Sequence, residues 1–198
     1  MVGATRRMAE LDDQLIQAVL RGETECFEAL VRKYQPRVFA MARRYARRES
    51  EVEDIVQEVF LKAFQKLSTF RGDAPFEHWL MRLGTRTCYD FLRKHQKNRE
   101  SPLTELTDDE ENWLERFAVS PESTEEQTSA ARALVQKLME SLKPEARMVI
   151  TLMEIEEKSV REVAGLTGWS ESKVKVRAFR ARNEMRKILQ RVAPEKFL

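Results

Sequence analysis

Apolar side chains recur between residues 52 and 67 at the spacing of an α-helix. Counted from Val52, they stand at positions +3, +4, +7, +8, +11, +12 and +15, which places them along one side of about four helical turns. The chain has only six Gly and six Pro in 198 residues, too few for the many tight turns of an all-β protein. An all-α fold is therefore predicted. The stripe consists of Val52, Ile55, Val56, Val59, Phe60, Ala63, Phe64 and Leu67.

Two further runs of apolar residues nearer the N-terminus also have helical spacing. Pro36 follows the second run and is expected to occupy the first turn of a new helix. Residues 68–75 (STFRGDAP) contain Gly72 and Pro75 and are expected to form a loop, after which another amphipathic helix begins. The two early runs are Leu11, Leu15, Val19 and Leu20, and then Phe27, Leu30, Val31 and Tyr34.

Charge divides the chain into segments. Residues 37–99 contain 14 basic and 8 acidic side chains, residues 100–126 contain 1 and 10, and residues 159–191 contain 9 and 3. The acidic segment, with Pro102 and Pro121, has the composition of a flexible linker. We therefore predict two small helical domains, residues 10–99 and 127–192, joined by a flexible acidic linker over 100–126. The basic segments favour a polyanionic partner, although solvated helix faces give the same pattern.

The C-terminal segment contains the pattern of a helix-turn-helix. This motif needs a small residue in its first helix, a turn residue that tolerates positive φ and an aliphatic residue in its second helix. Ala164, Gly168 and Val174 meet these needs, and Ser170 is suited to cap the second helix. Duplex DNA is the expected ligand, although some motifs of this type bind only proteins. The predicted DNA-facing residues are Ser172, Lys173, Lys175, Val176, Phe179 and Arg180.

A basic row with one aromatic residue follows the predicted loop. Its members are spaced by four, three, four and four residues, so they share one helix face. This arrangement suits a nucleic acid whose bases are unstacked, because an aromatic ring can hold an exposed base. An exposed helix with snorkelling arginines gives the same pattern. The row is Arg82, Arg86, Tyr89, Arg93 and Lys97, and the loop adds Phe70, Arg71, Gly72 and Asp73.

In the helix with the apolar stripe, the side that lies opposite the stripe is largely polar. Asp54, Gln57, Glu58 and Leu61 lie there, which places acidic groups and an aliphatic side chain together within a basic segment. Such a face favours a protein partner over DNA, and an ordinary solvated face is the alternative.

We find no pattern typical of catalysis or of a cofactor. His78 and His95 have no Cys or carboxylate at an evident ligand spacing, and Cys26 and Cys88 are too few for a disulfide framework. No phosphate-binding or dinucleotide-binding glycine loop is present. No apolar run is long enough to span a membrane, and the N-terminus lacks the apolar core of a secretory signal. We expect an intracellular protein that is not an enzyme and has no metal, cofactor, small-molecule substrate or membrane insertion.

Three motifs, in order, resemble the bacterial sigma factors of the extracytoplasmic-function (ECF) type in the sigma-70 family. They are DIVQEVFLKAF from Asp54, TFRGDAPFEHWLMRLGTRTCYDFLRK from Thr69 and SVREVAGLTGWSESKVKVRAFRAR from Ser159. The resemblance implies a cytoplasmic protein that binds core RNA polymerase, directs it to specific promoters and promotes DNA opening. It also implies that residues 10–99 are sigma region 2 and residues 127–192 are region 4.

The resemblance further implies roles for the residues above. The acidic face would dock on the clamp helices of the largest polymerase subunit, with the flap as a further contact. The loop and the basic row would capture the opened minus-ten element, and the helix-turn-helix would read the minus-thirty-five element. An anti-sigma factor is implied as another partner. Promoter sequence does not transfer, because many members have Asn at Arg86, Gly at Ser172, Ser at Val176 and His at Phe179.

Two other functions fit parts of the pattern. A stand-alone helix-turn-helix regulator would bind duplex DNA tightly without polymerase. An adaptor that binds only proteins would bind polymerase or another partner without selecting promoters. Neither needs the acidic face, the basic row and the helix-turn-helix in one chain.

Overall fold

The computed structural model describes residues 2–46, 48–96 and 135–192, with side chains described for 10–46, 48–95 and 135–190. The predicted linker, residues 100–126, and Lys97 lie outside these ranges. Within them the chain forms helices and no strand, which confirms the all-α prediction. The helices are α1 (Val2–Leu20), α2 (Cys26–Ala42), α3 (Glu49–Gln65), α4 (Phe76–Gln96), α5 (residues 135–141), α6 (Pro144–Ile150), α7 (Val160–Thr167) and α8 (Glu171–Val192).

The chain divides into two compact units. One contains Met1–Leu92 and Gly165–Gly168, and the other contains Arg93–Ala164 and Trp169–Leu198. Each unit has buried apolar side chains of its own.

The apolar stripe on α3 forms much of the core in the first unit. Six of its side chains are buried along α3, and Leu67 is buried in a short 3₁₀ turn directly after it. Phe64 is the exception, because 41% of it is exposed and its ring packs edge-on against Phe27 at 5.2 Å between centroids. Helix α4 approaches the core closely at Gly84, where a Cβ atom would overlap the Met41 side chain.

A buried polar cluster joins α1 to α2. Asp12 is only 4% exposed, and its carboxylate accepts hydrogen bonds from Lys33 Nζ and Tyr34 Oη, both at 2.5 Å. Burial, together with this hydrogen bond, raises the pKa of the Tyr34 hydroxyl far above its ordinary value. The buried Asp12 carboxylate of α1 is therefore paired with a cation and a hydroxyl group that both belong to α2.

Pro36 does not begin a new helix, so that prediction is wrong. It lies inside α2, which runs without interruption from Cys26 to Ala42. Proline has no N–H for the carbonyl four residues earlier, which is that of Arg32. Pro36 is exposed, so that carbonyl is on the side of the helix where water can reach it. The buried residues of α2 on both sides of Pro36 keep the helix in one piece, because they pack into the same core.

The second unit has a core of its own, built around α6 and α8. Pro144 stands at the first turn of α6, where its missing N–H costs nothing. The backbone continues from α6 into a π-helical segment, Thr151–Ile155. The core cluster contains Met139, Leu142, Ala146, Ile150 and Ala181, with Met185 and Ile188 packed against it.

Candidate functional site

The predicted docking face lies on the solvent side of α3. Asp54 and Gln57 are exposed, and Leu61 is 49% exposed. Glu58 is half-buried and pairs with Lys62 at 3.1 Å. The Lys62 ammonium also lies 3.5 Å from Thr87 Oγ1 on α4. The face therefore presents two polar groups and an uncovered aliphatic side chain, while Glu58 and Lys62 are engaged in the packing of α3 beside α4.

The loop after α3 contains the predicted base-receiving residues. Arg71 and Asp73 are exposed in it, and Gly72 has φ of +77°, a conformation that glycine adopts without steric cost. Phe70 is half-buried and packs edge-on against Phe76 at 5.6 Å and Trp79 at 5.8 Å. These contacts place the Phe70 ring in an aromatic cluster, so it anchors the loop. No motif in the sequence connects Trp79 with Phe70; only the fold brings the two rings together.

The basic row occupies one side of α4. Arg82, Arg86 and Arg93 are exposed and Tyr89 is half-buried, while Lys97 lies outside the described residues. The opposite side of the helix carries buried residues that include Leu80, Cys88 and Leu92. The structure thus separates the two faces as the spacing predicts. It places three guanidinium groups and one aromatic ring along roughly three turns of helix.

The helix-turn-helix has the local geometry that its sequence predicts. Gly168 has φ of +77° in the turn between α7 and α8, and Ser170 Oγ accepts a hydrogen bond from the backbone N–H of Lys173 at 3.3 Å. Helix α7 also begins with a hydrogen-bonded cap. Here the Glu162 carboxylate accepts hydrogen bonds from the hydroxyl and the backbone N–H of Ser159. The hydroxyl bond is the main cause of a lowered pKa for the Glu162 carboxyl, and the backbone bond is the second.

The two sides of α8 are cleanly separated. Val174, Ala178 and Ala181 are almost fully buried. All six predicted DNA-facing residues are exposed, and Phe179 is 66% exposed, an unusual position for a large aromatic ring unless it meets a partner. Helix α8 therefore presents a face that combines positive charge, one hydroxyl group and apolar side chains, the chemistry used to contact DNA backbone and base edges.

Two interactions on α8 were missed by the sequence analysis. The Arg177 guanidinium carbon lies 3.7 Å from the centroid of the Trp169 ring. Arg182 donates from Nε and Nη2 to Glu154 Oε1 at 3.1 and 2.6 Å. Glu154 belongs to the π-helical segment and lies 28 residues before Arg182, so only the fold brings them together. Trp169 precedes Arg177 by eight residues, and no motif in the sequence marks this pair.

Neither cysteine forms a disulfide bond. Cys26 is half-buried and Cys88 is buried. Among the described residues no group of three or more His, Cys, Asp or Glu is placed to hold a metal ion. In the same part of the chain, no helix has both the length and the apolar character needed to cross a membrane.

Family comparisons identify both helical units. The model of Sigma-70 region 2 matches residues 30–98, and the model of Sigma-70 region 4 matches residues 132–185. The two matches together cover more than half of the chain and occur in the order that the sequence motifs predict.

Individual relatives agree with the family models. The chain is 34% identical to the ECF RNA polymerase sigma-E factor of Escherichia coli strain K12 over 178 residues, which is 87% of this chain and 92% of that protein. It is 30% identical to the RNA polymerase sigma-H factor of Pseudomonas aeruginosa over 185 residues, 91% of this chain and 95% of the relative.

Two solved structures share the fold. The structure of CnrH in complex with the cytosolic domain of CnrY matches with a TM-score of 0.54 and 27% identity, covering 91% of this chain and 97% of that one. The sigma factor RpoE of Bartonella quintana, solved with the anti-sigma factor NepR, shares the fold at a TM-score of 0.51 and 21% identity, covering 83% and 96%. This chain belongs to the sigma-70 family and is an RNA polymerase sigma factor of the extracytoplasmic-function type.

Proposed function

We propose that this sigma factor recruits core RNA polymerase and opens promoters through three separate surfaces of its own. The exposed face of α8, with its six polar, basic and apolar side chains, is the observation that supports the proposal most strongly. It lies on the second helix of the helix-turn-helix, the helix that enters the major groove in this motif. We assign the minus-thirty-five element to this face.

The minus-ten element is assigned to helix α4 and to the loop before it. Arg82, Arg86 and Arg93 provide charge for the phosphates of the opened strand, and Tyr89 provides a ring on which a base stacks. The loop residues Arg71 and Asp73 lie exposed on a support that the aromatic cluster around Phe70 stabilises. Stacking of an extruded base contributes about 1–3 kcal/mol, which offsets part of the cost of unstacking DNA.

The polymerase is assigned to the α3 face. Its acidic and amide groups suit a basic protein surface, and the exposed Leu61 adds apolar area. We assign Asp54, Gln57, Glu58 and Leu61 to contacts with the clamp helices. The residue boundaries 10–99, 100–126 and 127–192 are part of the same proposal, with the acidic segment as a tether that lets two weak DNA contacts act together.

The chain is proposed to be a binding factor without catalysis of its own, acting in the bacterial cytoplasm where polymerase and promoters meet. An anti-sigma factor is proposed as its regulator. The support is that CnrH, which shares this fold and 27% of the sequence, was solved with a protein partner, the cytosolic domain of CnrY.

Run-off transcription on a promoter library tests the function as a whole. Sigma-free core polymerase is assayed with and without the purified chain. We expect site-selected transcripts only when the chain is present. Tight duplex binding without polymerase would instead indicate a stand-alone regulator, and polymerase binding without selected transcripts would indicate an adaptor.

The docking face has a more specific test. We expect the double change Asp54→Arg and Gln57→Arg to weaken binding of core polymerase at least tenfold, because it places two positive charges where a basic surface is expected. Asp13→Arg with Gln14→Arg is the matched control, since both residues are exposed on α1. Binding is measured by fluorescence anisotropy of the labelled chain, and equal affinity of the two double variants would refute the assignment.

A further inference from the structure

The Trp169 side chain stands at the start of the DNA-facing helix but is not part of its exposed face. It lies directly after Gly168 in the turn and directly before the capping residue Ser170. Its ring is half-buried, and the Arg177 guanidinium lies on its face at 3.7 Å. At this distance the planar cation stacks on the ring. Trp169 therefore connects the turn to the second helical turn of α8.

The stack fixes an arginine that has little else to hold it. Arg177 is half-buried, and its Nη1 atom is buried without a hydrogen-bond partner in the described part of the chain. A guanidinium normally finds a carboxylate or carbonyl when it is covered in this way. The indole ring of Trp169 is the close partner of Arg177. The ring therefore sets the direction in which the other N–H groups of the guanidinium point.

Arg177 lies at the border between the buried side of α8 and the exposed side that carries Lys173 and Arg180. It follows Lys173 by four residues and precedes Arg180 by three, which places the three cations in a row. Lys173 and Arg180 are exposed. A row of cations along the flank of a helix that lies in the major groove meets the phosphates of one DNA strand. A guanidinium with a fixed plane suits phosphate well, because it can donate two parallel hydrogen bonds.

We propose that Trp169 is a positioning residue for promoter binding, which holds Arg177 ready to contact a backbone phosphate of the minus-thirty-five duplex. The inference rests on the assignment of α8 to that element. Trp169 itself does not contact DNA. It acts by restricting a long side chain before DNA arrives, so that less freedom is lost on binding.

The test measures binding of duplex containing the minus-thirty-five element by holoenzyme reconstituted with the full chain, over a range of salt concentrations. Trp169→Ala is expected to weaken binding roughly threefold to tenfold, the range for losing the preorganisation of one long side chain. Arg177→Ala is expected to weaken binding and to lower the salt slope by about one. In the Arg177→Ala background, Trp169→Ala should have no further effect.

Conservative variants separate positioning from folding. Trp169→Phe keeps an aromatic face and is expected to retain most of the affinity, whereas Trp169→Leu keeps apolar volume without that face and should behave like Trp169→Ala. Lys187→Ala, at an exposed position further along α8, is the control for loss of charge alone and should bind as the unaltered chain does. Thermal unfolding of each variant reports on stability independently.

The outcomes distinguish this inference from the proposed function. If Lys175→Ala and Arg180→Ala weaken duplex binding while Trp169→Ala and Trp169→Leu do not, only the role of Trp169 is refuted. The same holds if the losses from Trp169→Ala and Arg177→Ala add in the double variant. If none of the α8 variants changes duplex binding, the assignment of α8 to the minus-thirty-five element fails first.

Discussion

Asp12 shows how strongly a single polar residue is committed to this fold. The sequence places it among the apolar residues of α1 without distinguishing it from its neighbour Asp13. In the structure Asp12 is 4% exposed and binds Lys33 and Tyr34, whereas Asp13 is exposed. The carboxylate is stable in its buried position because both partners belong to the adjacent helix α2 and satisfy its charge.

Replacing Asp12 is therefore expected to destabilise the first unit. Asp12→Ala leaves the Lys33 ammonium and the Tyr34 hydroxyl without their acceptor, which should lower the free energy of unfolding by about 1–3 kcal/mol. Asp13→Ala should stay within about 0.5 kcal/mol of the unaltered chain, as exposed substitutions usually do. Urea unfolding followed by circular dichroism provides the comparison, and indistinguishable midpoints would contradict the structural role of the cluster.

At the scale of elements, α2 and α8 show how packing and local sequence compete. Helix α2 keeps Pro36 in its interior because buried side chains before and after the proline share one core. Helix α8 extends for 22 residues. The Glu154–Arg182 pair, 2.6 Å apart at its closest, fastens the middle of α8 to the π-helical segment, although exposed pairs of this kind contribute about 1 kcal/mol or less.

Replacing Pro36 is expected to raise the free energy of unfolding, whereas replacing Asp12 lowers it. A proline inside a helix is about 3 kcal/mol less favourable than alanine, while proline restricts the unfolded chain by about 0.4–1 kcal/mol. Because α2 is already continuous at Pro36, Pro36→Ala gives the Arg32 carbonyl a donor without rearrangement. We expect the free energy of unfolding to rise by about 2 kcal/mol, measured by thermal unfolding. A lower melting temperature would show that proline is required for the path of α2.

In the proposed function, the whole molecule combines two DNA-reading faces in one chain. Each helical unit presents a basic face on its surface, α4 in the first unit and α8 in the second. Linking two contacts raises the effective concentration of the second once the first has formed. We therefore expect the two faces to act at different stages of promoter opening, although both contribute to one affinity.

Two variants should separate these stages. Tyr89→Ala is expected to reduce the melted fraction of the promoter by an amount equivalent to about 1–3 kcal/mol, the value of one stacked base, with closed-complex binding little changed. Lys175→Ala should weaken the closed complex and lower its salt slope by about one. Permanganate reactivity reports melting, and footprinting reports occupancy.

Two controls complete this comparison. Tyr89→Phe keeps the ring and should melt the promoter nearly as well as the unaltered chain. Arg21→Ala removes an exposed positive charge that pairs only weakly with Glu23 at 3.4 Å and should affect neither stage. Normal melting by Tyr89→Ala would remove Tyr89 from the strand-capturing surface.

Much of the architecture follows from local pattern. The 3.6-residue period of the α3 stripe specifies both a helix and its buried side, since a helix has one fixed geometry. Gly168, Ser170 and Val174 likewise specify the helix-turn-helix. A turn with positive φ, a capped helix and a buried aliphatic side chain between the two helices are all local requirements. The exposed faces of α4 and α8 then follow from the same period once the buried faces are known.

Contacts between residues far apart in sequence could be identified only from the folded structure. The amino-acid sequence by itself determined helices, faces and motif order, because these depend on neighbours within a few residues. Only the tertiary structure decided that Asp12 is buried against α2, that α2 continues through Pro36, and that Phe70 anchors its loop. It alone paired Arg182 with Glu154. Such choices depend on which surfaces meet when helices pack, and helical periodicity carries no information about the partner.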